Sequence, residues 1–210
     1  HGFNGPMTCT HVSYQKNIIP YSLYKTGTVN ISMEEKVYEL QDALIVNKQN
    51  KPVTILRKGM KMPGDVVFGN TPSGKFEIGP KFTSHDHFII DNFNLQVEEC
   101  TYEQCTLRII VYEIAGGRFE PIHPKPIYFN LTPTNHNSAI KINVDSPITL
   151  QKGKEYYIGI TIVAGANGTI HFPATLRSGF IRNLITGTMK KLPATVGIGV
   201  TGRKQTTIKK

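Results

Sequence analysis

His85-Asp86-His87, followed by Asp91, is the arrangement in this chain best suited to holding a metal ion. Alternate residues of a strand share one face, so both imidazoles could ligate zinc. A zinc site needs a third or fourth ligand, and no spacing announces one; two ligands alone are non-specific. A solvated pair at a strand edge explains the motif, and no metal is expected. Glu98, Glu99, Glu103 and Asp91 gather around a predicted hairpin. Glycoside hydrolysis uses carboxylates about 5 Å or about 6.5–9.5 Å apart, but adjacent Glu98 and Glu99 point to opposite strand faces. An acidic hairpin tip accounts for them. There is no Gly-x-Ser-x-Gly elbow, and Cys9 with His11 lacks a third, orienting group. Gly116–Pro124 (GGRFEPIHP) is a turn without the setting of a phosphate loop. The residues therefore predict no catalytic group, no cofactor and no enzyme.

Charge points to a different kind of chemistry. The 210 residues carry a formal net charge of +9, and after Glu155 there is no Asp or Glu. Arg177, Arg182, Lys190, Lys191, Arg203, Lys204, Lys209 and Lys210 all lie beyond that point. Such an imbalance suits polyanions: a glycan, lipopolysaccharide or an acidic protein face. The plainer reading is a solvated face with a basic tail. No zinc-finger spacing, RNP-like strand or helix-turn-helix pattern supports nucleic acid, and none is expected as a partner. No apolar run approaches the ~20 residues of a membrane-spanning helix.

Cys100 and Cys105 flank four residues between two strand-like runs, so a hairpin would bring them within bridging reach. A disulfide or two free thiols are both open, and Cys9 is left as a small buried hydrophobe. Trp is absent, which weakens a sugar-stacking role. Tyr102, Phe119, Tyr128, Phe172 and Phe180 nevertheless fall in or beside predicted loops, where ligand contacts concentrate. For most of them core packing is the simpler role.

These residues must be held by strands. Thr106–Ile114 sets Leu107, Ile109, Val111 and Tyr112 against Arg108 and Glu113. Glu155–Val163 sets Tyr156, Ile158, Ile160 and Ile162 against Tyr157, Gly159 and Thr161. Ile127–Leu131, Ala139–Val144, Phe76–Phe82, Phe88–Glu98 and others continue the cadence, giving about ten strand candidates after Asp65. The expectation is all-β: a jelly-roll-like antiparallel β-sandwich over 65–203, followed by a basic tail, 204–210. Residues 47–64, broken by Pro52, Gly59 and Pro63, read as a linker in which Val53–Leu56 could pair as a stray strand. Met33–Val46 fits either a helical stripe or two short strands.

Residues 8–46 carry a resemblance. His11-Val12-Ser13-Tyr14 and the closing run Val37-Tyr38-Glu39-Leu40-Gln41-Asp42-Ala43-Leu44-Ile45-Val46 resemble the end of the carboxypeptidase-regulatory-like (transthyretin-like) domains of Bacteroidetes envelope proteins. Ser13 replaces a usual Gly, and Leu44 a usual Val. The remainder, with Gly74–Pro80, Phe93–Val97, Leu107–Tyr112 and Tyr156–Ile162 in order, is similar to the β-sandwich that follows that domain. The resemblance implies a partial regulatory-like segment over 1–46 and an exported protein, periplasmic, outer-membrane-associated or secreted. It implies no carboxypeptidase activity. About 46 residues cannot close such a fold, so the segment is expected to be a cut piece or to dock its strands elsewhere. The functional expectation is a non-catalytic envelope module that binds an envelope protein or an anionic surface, with Arg182, Lys190 and Lys191 as contacts. The alternative is a carbohydrate-binding module of polysaccharide utilisation that uses Tyr102 and Phe119.

Overall fold

The computed structural model describes residues 5–11, 13–24, 30–35, 51–69 and 74–205. The chain divides into two compact units, His1–Ala43 and Leu44–Lys210. In the first, β1 (Met7–His11) pairs antiparallel with β2 (Tyr14–Ile19), Met7 opposite Ile19. Pro20 then ends β2, and a single turn, α1 (Tyr21–Tyr24), follows. The Tyr24 hydroxyl donates to the Gly5 carbonyl, which ties the turn back to the start of the hairpin. Tyr14 makes an isolated antiparallel bridge with Glu35. Of the ambiguous run 33–46, residues 36–46 lie outside the described residues.

The second unit opens with β3 (Val53–Leu56), β4 (Met60–Gly69), β5 (Phe76–Thr83) and β6 (Phe88–Val97). Next come β7 (Glu99–Cys100), β8 (Cys105–Ala115), β9 (Arg118–Pro121), β10 (Ile127–Leu131) and β11 (Ser138–Leu150). The chain continues through β12 (Glu155–Gly165), β13 (Thr169–Leu176), β14 (Gly179–Asn183), β15 (Met189–Leu192), β16 (Thr195–Val196) and β17 (Gly199–Lys204). Seven strands make one antiparallel sheet in the order β10-β8-β12-β5-β14-β15, with β9 also paired to β8. Two four-stranded sheets, β11-β6-β17-β3 and β16-β13-β4 with β7 on β13, make the rest. The chain passes between these two sheets three times, at β3–β4, β6–β7 and β16–β17. One hydrophobic cluster draws on all three sheets, with Phe93, Leu95, Leu107, Ile109, Leu150, Ile158, Ile160, Phe172 and Val200 among its buried members. The fold is the all-β antiparallel sandwich that the alternation predicted.

Strand structure extends beyond the sequence reading at both ends of the sandwich. The stretch read as a linker contributes β3, which pairs with β17, and the first half of β4, which pairs with β13. Pro63 and Gly64 interrupt the pattern there, but β4 lies at its sheet's edge, where a missing donor and an irregular register are tolerated. Lys204 ends β17, and the remainder of the tail after Gln205 lies outside the described residues. The GGRFEPIHP turn also holds more structure than expected. Gly116 and Gly117 both take positive φ, 55° and 78°, as a tight two-residue hairpin turn requires. That turn folds β9 back onto β8.

The strand faces follow period two. Tyr156, Ile158, Ile160 and Ile162 enter the core from β12, as predicted. From β8 the core set is Leu107, Ile109 and Val111, whereas Tyr112 points to the opposite face. Past β9, His123 is buried; its Nε2 accepts the Val111 N–H at 2.9 Å, so Nδ1 carries the proton and donates to the Lys125 carbonyl at 2.5 Å. Burial lowers the imidazole's pKa below its ordinary value, against the opposing pull of the Lys125 carbonyl. The fold therefore favours neutral His123. Its contribution is complete above the unfolded value of about 6.5 and is lost as pH falls from there through the depressed folded value. Urea unfolding at pH 8 and pH 5.5 should show a loss of stability on acidification that is smaller in His123→Gln.

Candidate ligand-binding face

The face of the seven-stranded sheet turned away from the core also buries side chains, Glu77, Tyr112, Tyr157 and Thr161 among them, and its register is continuous. Tyr128 on β10 pairs with Arg108 on β8, and Arg108 pairs with Thr161 on β12. Ile160 pairs with Ile78, which sets Thr161 beside Glu77 on β5. Glu77 in turn pairs with Arg182 on β14. A second rung places Phe180 of β14 beside Lys191 of β15, and a third sets Tyr112 beside Tyr157. The Tyr112 and Tyr157 rings stack with centroids 6.0 Å apart, and Phe119 of β9 meets both edge-on.

Glu77 is the centre of this face and is 1% exposed. Its Oε1 accepts from the Arg182 Nη1 at 3.0 Å, and its Oε2 accepts from the Tyr112 hydroxyl at 3.1 Å. The Tyr157 hydroxyl donates to the backbone carbonyls of Glu77 and Phe180, both at 3.2 Å. The Arg182 guanidinium lies over two rings, 4.8 Å from the Tyr112 centroid and 4.6 Å from that of Phe119. Gly159 leaves the space this carboxylate occupies, since a Cβ there would come within 2.5 Å of the Glu77 Cδ. Burial pushes the Glu77 pKa up, and the attraction of Arg182 only partly offsets it. Burial beside the same carboxylate raises the phenols of Tyr112 and Tyr157 as well. The carboxylate thus serves as an internal anchor for the guanidinium and the rings around it.

Of the residues singled out from sequence, Phe119 and Arg182 come together here, and Lys191 joins them on the same face. Lys190 pairs with Ile181 and so faces the other way. Both lysines are exposed on an edge strand, where charge also discourages strand-to-strand association. Tyr102 does not join them: it is 0% exposed, with its hydroxyl unpaired inside the second unit. It lies beside Gly165 and Gly168, where any Cβ would press on its ring. Phe172 is core, against Phe68. Tyr128 is 54% exposed at the sheet edge, and Phe180 is half-buried with the Lys81 Nζ 5.2 Å from its ring. Cys100 and Cys105 are free, buried thiols, and the Cys100 thiol donates to the Tyr102 carbonyl at 3.9 Å. Burial pushes the Cys105 thiol up to about 12.

The other clusters are held by ordinary partners. His85 packs against Phe88, and the His87 Nδ1 accepts the Lys152 N–H at 3.5 Å. Asp86 pairs with Lys204, and Asp91 takes a forked pair from Arg203. Glu98 pairs with Lys61, while Glu99 and Asp65 flank His171. No group of three or more His, Cys, Asp or Glu among the described residues could hold a metal ion. No helix there is long and apolar enough to cross a membrane. Sequence reasoning missed Glu77, whose only signal was a single acid inside the strand run Phe76–Phe82.

The chain matches no protein-family model and no curated protein. The geometry of the pair can be tested directly. Arg182→Ala leaves the Glu77 carboxylate buried without its counter-charge and should cost about 3–5 kcal/mol in urea unfolding. Adding Glu77→Gln to that variant should recover part of the loss. In the wild type, stability should fall as pH rises from the unfolded glutamate value of about 4.3 through the raised folded value, a component that Glu77→Gln lacks.

Proposed function

We propose that this protein is a non-catalytic, exported module of a bacterial cell envelope that holds an anionic partner on the outer face of its seven-stranded sheet. The observation that carries the reading is the charge on that face. Lys81, Arg108, Arg182 and Lys191 project there against two carboxylates, Glu77 and Glu155. Glu77 is already enclosed by Arg182, and Glu155 pairs with Lys81 at 3.0 Å, so Arg108 and Lys191 are the cations left to act outward. A surplus of this kind on a face lined with half-exposed rings attracts anions and gives them flat surfaces to rest on. The envelope setting draws on the resemblance of residues 8–46 to the regulatory-like segment of Bacteroidetes proteins.

Arg182 is a poor residue with which to test binding, because its loss disturbs the buried carboxylate. The two lysines of β15 make the better pair, since they differ in face and match in charge. Retention on immobilised dextran sulfate should weaken in Lys191→Glu by about threefold or more, and less in Lys190→Glu. Equal losses, or none, would move the contact surface off this face.

A further inference from the structure

We infer that Arg108 and Tyr128 form a subsite for the carboxylate of an acidic sugar, a uronate residue of a glycan. This rests on the reading of the same face as a binding surface and assigns it a ligand class. Arg108 sits in the middle of the sheet, half-buried, one strand in from the edge. Its Nε is buried without a partner, and no hydrogen bond or ion pair reaches its guanidinium among the described residues. Its terminal nitrogens are neither paired nor fully buried. The contrast with Arg182 is instructive, since that guanidinium is held by Glu77 at 3.0 Å and by two rings. Arg108 has only the distant field of the same carboxylate. A half-buried guanidinium without acceptors forgoes the two parallel hydrogen bonds it is shaped to make, and a carboxylate from outside supplies both.

The neighbours say which carboxylate. Directly beside Arg108 in the register stands Tyr128, more than half exposed at the sheet edge, with its ring free of any aromatic partner among the described residues. An exposed flat ring next to a planar cation suits a pyranose that stacks on one while its carboxylate meets the other. Thr106 and Asn130, hydrogen-bonded to each other at 3.0 Å, lie one register step away and add hydroxyl and amide groups at the same edge. An exposed ring on an edge strand fits a chain of rings lying across strands better than a buried small molecule.

The test uses the whole chain and defined oligomers in about 0.15 M salt, where loose charge attraction is screened. Galacturonate pentamer should bind, and the neutral galactose pentamer should bind at least about tenfold more weakly. Arg108→Gln and Tyr128→Ala should each weaken the acidic oligomer by about tenfold, and Arg108→Lys should recover only part of the affinity despite its charge. Thermal unfolding at wild-type temperature in each variant separates lost binding from lost fold. Unchanged affinity in both variants, full recovery in Arg108→Lys, or equal binding of glutamate pentamer would overturn the subsite. Retention on dextran sulfate that still depends on Lys191 would then leave the anion-binding face standing without it.

Discussion

A buried carboxylate with its guanidinium organises one whole side of this sandwich. The seven-stranded sheet buries side chains on both faces, and only one of those sets is greasy. On the other, Glu77 is enclosed by Arg182, Tyr112 and the backbone of Gly159, and none of these can change alone. Desolvating a charge costs several kcal/mol unless it is paired and hydrogen-bonded, so the strand register that delivers Arg182 and Tyr112 to Glu77 is held by more than ladder hydrogen bonds. A slip of one residue between β5 and β14 would turn Arg182 to the core and leave the carboxylate bare.

That arrangement also divides the face by role. Its centre is locked: Arg182 has rings above and an acid below, and Tyr157 spends its hydroxyl on two carbonyls. Its margins are exposed. Tyr128 at one edge and Lys191 at the other project from strands with a neighbour on one side only. A packed middle with exposed margins sets those side chains on a platform that is already ordered.

Much of the scaffold was legible because period two is a strong signal wherever one face is apolar. In β12 it separated Tyr156, Ile158, Ile160 and Ile162 from Tyr157, Gly159 and Thr161 without error. It failed at Tyr112, where an aromatic ring follows three aliphatic residues and reads as more core. The ring is indeed buried, but against Glu77 and Arg182 rather than the aliphatic cluster. Glu77 itself was invisible, since a lone acid in a strand normally means solvent, and its partner lies 105 residues away. Tyr102 was read as a loop residue, which it is; nothing local reveals that two glycines make room to bury it. The linker was misread for a related reason: Pro and Gly signal a break, and only the edge position of β4 shows that the sheet absorbs one.

The pairing of β3 with β17 has a consequence for how the chain comes into being. Residues 53–56 find their neighbour only at residues 199–204, which follow every other described strand in the chain. Until then Ile55 and Leu56, both buried at the end, are uncovered, and the β11-β6 pair has a bare flank where β17 will insert. Most other contacts in this sandwich are also distant in sequence, a topology that folds slowly because long loops must close before they are rewarded. A nascent polypeptide of this topology therefore stays an unsealed half-shell until the closing strand arrives.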